Sequence, residues 1–273
     1  MTGLNLDGAV VVITGAGSGI GAAMARRFAA DGATVVVNDL DPVAAHHVAH
    51  EIGGRAFAGD ASDADFAERL VAFAWGSLGR LDLFCANAGV PTAGTEAAPA
   101  ADWDRAWRVN VLAHVHAARA ALPRWLERER GRFLVTASAA GLLTMLGSAP
   151  YSVTKHAAVG FAEWLRVTYA HRGIVVQALC PQGVRTPMLS GTGPVGEMLL
   201  GQDAIGADEV AERVREALTG DRFLILPHPE VAGFYAGRAA DPERWLGAMN
   251  RLQRKAEQAH PVPRQRTGDG VTS

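Results

Sequence analysis

Cysteine is scarce in this chain: two residues among 273, Cys85 and Cys180. Two thiols cannot build a disulfide framework, nor a cysteine-based zinc site on their own. Both sit in apolar runs, where they read as small core residues. Basic residues are neither abundant nor clustered: 26 Lys and Arg stand against 28 Asp and Glu, for a formal charge of −2. Nucleic acid binding needs concentrated cations to neutralise phosphates, so no nucleic acid partner is expected. No run of about 18 apolar residues occurs, which excludes a membrane-spanning helix. Met1–Asp7 lacks a basic segment followed by an apolar stretch, so no secretory signal and a cytoplasmic location are expected. His46 and His50 have the spacing of a metal pair on a helix, but no third ligand accompanies them, and no metal site is expected.

The chain does have hydrophobic mass. Hydrophobic residues make up 49% and charged residues 20%, enough to bury a sizeable core and to exclude wholesale disorder. Apolar runs, the first of them β-branched, recur at Ala9–Thr14, Thr34–Asn38, Arg55–Gly59, Leu81–Ala86, Arg132–Ala137, Ile174–Cys180 and Phe223–Leu226. Helical stretches separate them: Ile20–Ala30, a segment starting at Asp41-Pro42, Ala64–Gly76, Ala101–Arg130, Ser152–Arg172 and Ala207–Thr219. Continuous rather than alternating apolar strands, each followed by a helix, indicate a parallel sheet covered on both faces. The expected architecture is α/β: a Rossmann-type, doubly wound parallel sheet of about seven strands, in one domain spanning 1–258. Residues 187–206, rich in glycine and apolar side chains between a strand and a helix, read as a lid. Residues 241–258 read as an amphipathic C-terminal helix with Trp245, Leu246, Met249 and Leu252 on one face. The polar, proline- and glycine-containing tail 260–273 reads as disordered.

The first strand runs into Thr14-Gly15-Ala16-Gly17-Ser18-Gly19-Ile20-Gly21. Glycines here permit a tight turn and close backbone approach, and the helix that follows presents unpaired N–H groups to a pyrophosphate. Gly15, Ser18, Gly19, Ile20 and Gly21 are therefore candidate dinucleotide-binding residues. Asp39 follows Gly19 by 20 residues, at the end of the second strand. A carboxylate there can accept both ribose hydroxyls of an adenosine and would repel a 2′-phosphate. Leu40 and Asp41 supply no base for that phosphate, and position 18 is serine. These features favour NAD over NADP.

Tyr151 and Lys155 are four apart at the start of a strong helical pattern and share one face. Ser138 falls at the end of the fifth strand, where an α/β sheet opens its ligand crevice. With the glycine loop, Asp39, Asp60, the Asn87-Ala88-Gly89 triplet, Asn110 and the 13-residue interval from Ser138 to Tyr151, the chain resembles the short-chain dehydrogenase/reductase family over about residues 5–226. The resemblance implies a single-domain oxidoreductase interconverting a secondary alcohol and a ketone, with NAD as cofactor and NADP less favoured. Tyr151 would exchange a proton with the substrate oxygen. A phenol ordinarily titrates near 10, so action near neutrality calls for roughly 4 kcal/mol of differential stabilisation, supplied by Lys155 and an oxidised nicotinamide. Lys155 would also bind the nicotinamide ribose, Ser138 would orient the substrate oxygen, and Asn110 would hold a water linking Lys155 to solvent. Asp60 and Ala61 would meet the adenine, and Asn87, Ala88 and Gly89 the adenosine ribose. Pro181, Val184 and Thr186 would flank the nicotinamide.

The chain departs from that family at two places. Gln182 follows Pro181 where glycine is commoner, and Leu226-Pro227-His228-Pro229-Glu230 replaces the usual end. The resemblance implies a homodimer or homotetramer, with the helices carrying Asn110 and Tyr151 available as a dimer face. Leu142, Leu143, Met145, Leu146, Met188, Leu189, Val195, Met198 and Leu199 suggest an apolar substrate pocket. Two alternatives are an NADPH-dependent carbonyl reductase and a non-catalytic dinucleotide sensor on the same fold.

Overall fold

The computed structural model describes residues 3–190, 201 and 203–259. In chain order its elements begin β1 (Val10–Ile13), α1 (Gly19–Ala30), β2 (Thr34–Val37), α2 (Pro42–Glu51), β3 (Arg55–Ala56), α3 (Ala64–Leu78) and β4 (Leu83–Ala86). Then come α4 (Ala100–Trp107), a π turn (Arg108–Leu112), α5 (Ala113–Glu127), β5 (Gly131–Thr136), α6 (Ala140–Leu143), α7 (Ala149–Tyr169) and β6 (Ile174–Leu179). The chain continues with β7 (Val184–Arg185), α8 (Pro187–Ser190), β8 (Ile205–Gly206), α9 (Ala207–Ala217), β9 (Leu224–Ile225), α10 (Glu230–Ala240) and α11 (Pro242–Ala259). Seven strands form one sheet in the order β3-β2-β1-β4-β5-β6-β9, with every pairing parallel. All seven expected strands are present. The strand order reverses between β1 and β4, and that switch point opens a crevice at the carboxyl ends of the strands.

Strand side chains alternate between two cores. Val10, Val12, Phe84, Phe133 and Val135 pack with α3, α5 and α7 on one face. Val11, Ile13, Leu83, Cys85 and Leu134 pack with α1, α2 and α9 on the other. Because both faces are covered, every residue of β1, β4, β5 and β6 is buried, which explains why these strands are mostly apolar, with Arg132, Thr136 and Gln177 as buried polar exceptions. Cys85 and Cys180 are fully buried and unpaired, as core residues. No helix among the described residues is long and apolar enough to cross a membrane.

The structure revises several expectations. The stretch 101–130 is not one helix: the Ala113 N–H bonds to the carbonyl of Arg108, five residues back, and this wide turn separates α4 from α5. The expected C-terminal helix is α11, and a further helix precedes it in the arm. That helix, α10, contains Gly233 and Gly237 and carries little helical signal of its own. Of the expected lid, α8 and β8 are described, and β8 pairs with β7. Residues 191–200 and 202, with Val195, Met198 and Leu199, lie outside the described residues, as does the tail 260–273.

The amino ends of the strands, opposite the crevice, are closed by buried polar contacts. The Asp82 carboxylate accepts the Val10 N–H (3.0 Å) and pairs with Arg80 at 2.7 Å. Trp125, with no exposed surface, donates its indole N–H to the Leu81 carbonyl (2.7 Å) and lies edge-on to Phe133. Gly131 has to be glycine here, since a Cβ would come within 2.2 Å of that indole. Trp125→Ala removes the largest buried side chain and one of the two donors to the Leu81 carbonyl, the other being Arg128. It is expected to cost about 3–5 kcal/mol, read as a lower denaturation midpoint at unchanged denaturant slope, with cofactor affinity retained.

Candidate active site

The glycine loop is shaped by its neighbours. Gly15 has φ +62°, and a Cβ on it would meet the Ala88 backbone at 2.9 Å. A Cβ on Gly21 would lie 2.2 Å from the Gly15 carbonyl, so the loop and the first turn of α1 can close only with glycine there. Ser18 caps α1 without a side-chain hydrogen bond, leaving the helix N-terminus facing the crevice. From β4, the Asn87 side chain donates to the carbonyls of Thr14 (2.9 Å) and Gly15 (3.2 Å). The Thr14 hydroxyl in turn accepts the N–H groups of Asn87 and Ala88, both at 3.0 Å.

Asp39 accepts the Gly17 N–H (2.9 Å) through one carboxylate oxygen and the Asp41 N–H (3.0 Å) through the other. Asp41 caps α2, receiving Val43 and Ala44 N–H groups, so Asp39 is not the cap. Leu40 is 73% exposed. Asp60 is exposed and holds Ser62 through its N–H (2.8 Å) and hydroxyl (2.7 Å).

Ser138 follows β5, and its oxygen accepts the Ala140 N–H at 3.1 Å. Tyr151 and Lys155 stand one turn apart near the start of α7, whose first turn is set by Pro150. The Lys155 ammonium donates to the Thr136 carbonyl (3.0 Å) and lies 5.6 Å from the Tyr151 ring centre. Burial pushes its pKa down to about 8. The Tyr151 phenol is pushed above its ordinary value by burial, with the Ser138 hydroxyl pulling the other way. The acidic phenol expected from Lys155 together with an oxidised nicotinamide is thus not a property of the protein alone: desolvation outweighs the Ser138 hydrogen bond.

These residues share one cavity of about 820 Å³. Gly15, Ser18, Gly19, Ile20, Gly21, Asp39, Leu40, Asp60, Ala61, Asn87, Ala88 and Gly89 line one part of it. Ser138, Tyr151, Lys155, Pro181, Val184 and Thr186 line the rest, with Leu143, Met145, Leu146, Met188 and Leu189. Two expected residues are elsewhere. Leu142 points into the core, 2% exposed. Asn110 is fully buried behind the cavity wall, in the π turn. Its oxygen accepts the Val90 N–H (2.8 Å), and its amide donates to the Val90 carbonyl and the Thr154 hydroxyl, both at 3.1 Å. Both amide hydrogens are therefore committed to the scaffold.

The structure also brings residues to the site that the sequence did not place there. Phe234 of α10 and Trp245, Met249 and Leu252 of α11 line the same cavity, so the C-terminal arm covers its own crevice. The amphipathic face of α11 was legible; its destination was not. His114, one helical turn beyond Asn110, is 1% exposed, and its Nε2 has no partner among the described residues. Burial, assisted by the Lys155 charge, drives its pKa down to about 3 and keeps the ring neutral.

The model of the short chain dehydrogenase family matches residues 9–194. The chain is 39% identical over 241 residues to 1-deoxy-11-beta-hydroxypentalenate dehydrogenase of Streptomyces exfoliatus, covering 83% of this chain and 86% of that protein. It is 37% identical over 192 residues to meso-2,3-butanediol dehydrogenase of Serratia marcescens, covering 69% and 76% of the two chains. Among solved structures, a short chain dehydrogenase/reductase from Burkholderia phymatum in complex with NAD superimposes with a TM-score of 0.80 at 29% identity, over 88% of this chain and 96% of that one. The chain belongs to the short-chain dehydrogenase/reductase family. It is an oxidoreductase of the class that acts on CH–OH groups of small molecules, on an NAD(P)-binding fold.

The folded chain binds the Lys155 proton more weakly than the unfolded chain does, because burial lowers the pKa from 10.5 to about 8. The resulting cost to stability is present in full below pH 8 and disappears as the pH rises toward 10.5. Lys155→Met, although it forfeits the bond to Thr136, is expected to raise Tm by several degrees near neutral pH. That gain should shrink across the same alkaline window, as measured by melts at a series of pH values.

Proposed function

We propose that this chain is an NAD(H)-dependent dehydrogenase or reductase that interconverts a secondary alcohol and a ketone with an apolar body, Tyr151 handling the proton. The observation that carries the reading is the convergence of Ser138, Tyr151 and Lys155 on the cavity that also contains the glycine loop and Asp39. The residues present fit a dinucleotide. A cradle that admits only glycine leads into an open helix N-terminus, and a carboxylate lies where an adenosine ribose would follow. When bound, the nicotinamide exchanges a hydride with the carbinol carbon.

The rest is done by this chain's side chains. Ser138 fixes the substrate oxygen beside the Tyr151 hydroxyl. A phenol kept protonated by burial is suited to donating to a carbonyl oxygen, the reduction direction. In oxidation the same hydroxyl must first lose its proton, which the Lys155 ammonium favours by charge. Lys155 is anchored by Thr136 and stays close enough to bind ribose hydroxyls. Asp39 keeps free lone pairs on both oxygens beyond its two backbone bonds, and these suit ribose hydroxyls while repelling a 2′-phosphate. The presence of NAD in the Burkholderia phymatum structure supports the same preference.

The substrate end is apolar: Leu143, Met145, Leu146, Met188 and Leu189 from below, Phe234, Trp245, Met249 and Leu252 from the arm. A cavity of about 820 Å³ is at the upper end for small-molecule sites and suits a bulky substrate beside the cofactor. The exposed Val153, Trp164 and Val167 on one face of α7 support a homodimer through that helix.

A screen of alcohols and ketones with NAD(H), followed by absorbance, tests the reading. Turnover of hydrophobic secondary alcohols or ketones is expected, and turnover confined to highly charged metabolites would refute the substrate class. Tyr151→Phe is expected to lower kcat by about 10²–10⁴ while leaving NADH affinity within a few-fold. Asp39→Ala is expected to shift the NAD-to-NADP ratio of kcat/KM by about tenfold or more toward NADP, measured with one substrate and both cofactors.

A further inference from the structure

The segment after β6 carries the nicotinamide side of the proposed site, and its backbone is held almost entirely from outside. The Pro181 carbonyl accepts the Ala139 N–H (2.8 Å), and the Gly183 carbonyl accepts the Ile205 N–H from β8 (3.1 Å). Between them stands His228, 3% exposed, in the stretch where the chain departs from its family. Its Nδ1 lies 3.2 Å from the Gln182 nitrogen and its Nε2 lies 3.1 Å from the Gly183 oxygen. A backbone N–H can only donate and a carbonyl can only accept, so Nδ1 is the acceptor and Nε2 carries the proton. The ring is therefore neutral and satisfied at both nitrogens. The His228 carbonyl in turn accepts the Val231 N–H (3.2 Å), at the root of α10. The His228 side chain thus clamps the loop at Gln182 and Gly183, while its backbone carbonyl starts the arm that roofs the cavity.

We propose that His228 is a positioning residue: it fixes Pro181–Gly183 against the nicotinamide end of the site and ties that loop to the C-terminal arm. The Leu226–Glu230 departure thus supplies the acceptor for the backbone N–H at position 182, a bond that does not depend on which side chain stands there. The role rests on the proposed dinucleotide site. It predicts an effect confined to the nicotinamide half of the cofactor, because no bond of His228 reaches the glycine loop or Asp39.

The test compares NADH with ADP-ribose, which has the adenosine diphosphate half and no nicotinamide. His228→Phe keeps a buried ring and deletes both bonds. It is expected to weaken NADH binding about tenfold, the value of one buried N–H left without an acceptor, while ADP-ribose affinity stays within twofold. His228→Gln, which keeps an acceptor and a donor, is expected to recover most of the loss. Equal weakening of both ligands, or of neither, overturns the role. Should His228→Phe fail to fold, ¹⁵N-histidine spectra of the wild-type chain decide the matter: the neutral Nε2–H form near pH 7.5 supports the role, and an Nδ1–H form or an imidazolium overturns it. Wild-type protein that binds ADP-ribose and NADH while the variant does the same refutes His228 alone. Wild-type protein that binds neither refutes the proposed cofactor site itself.

Discussion

The crevice depends on how Thr14 and Asn87 lock together. β1 and β4 are adjacent strands whose connections leave in opposite directions, so nothing in the sheet itself fixes the loops that follow them. The Thr14 hydroxyl accepts two N–H groups from the β4 loop, and the Asn87 amide returns two bonds to carbonyls of the glycine loop. These four bonds satisfy backbone groups that a glycine-rich turn would otherwise leave open to a buried cleft. They also hold the loop in the tight path that keeps the N-terminus of α1 facing the cavity. Asp39 completes the arrangement from β2 by accepting the Gly17 N–H.

Burial competes with charge at the other end of the cavity. Lys155 sits 2% exposed with its ammonium on a backbone carbonyl, a placement that weakens its hold on its proton. Tyr151 is pushed the opposite way by the same desolvation, toward the protonated phenol. His114 nearby is kept neutral, and Cys180 is held protonated, its pKa pushed up to about 12. The folded protein alone therefore disfavours every charged form in this region. A site of this kind sacrifices stability to place titratable groups out of water, where a positioned charge acts with less screening.

The C-terminal arm gives the cavity its apolar roof and is joined to the body by few polar links. Arg238 of α10 bonds to the Leu142 carbonyl and to His156 on α7, the helix that carries Tyr151 and Lys155. Nδ1 of His156 in turn donates to the Ser152 carbonyl (2.8 Å), which leaves Nε2 to receive the guanidinium. The arm is thereby attached to both edges of the proposed site, through Arg238 at the α7 side and His228 at the loop after β6.

Local pattern alone determined much of this protein. Strands covered on both faces are mostly apolar rather than alternating, so Ala9–Thr14 through Phe223–Leu226 announced a parallel sheet and its order of elements. The glycine loop, Asp39 and the Ser138, Tyr151, Lys155 set could be located because their spacing follows from strand ends and helical turns. What required three dimensions was any feature whose partner is distant in the chain. The π turn at Asn110 has no separate signal, since one widened hydrogen bond leaves composition unchanged. Trp245 and Met249 show an amphipathic face, but which surface covers that face is a matter of packing between residues about 100 apart in the chain. The sense of the Tyr151 shift is likewise a tertiary quantity: a neighbouring lysine is visible in the sequence, whereas the loss of water around both groups exists only once the chain has closed over them.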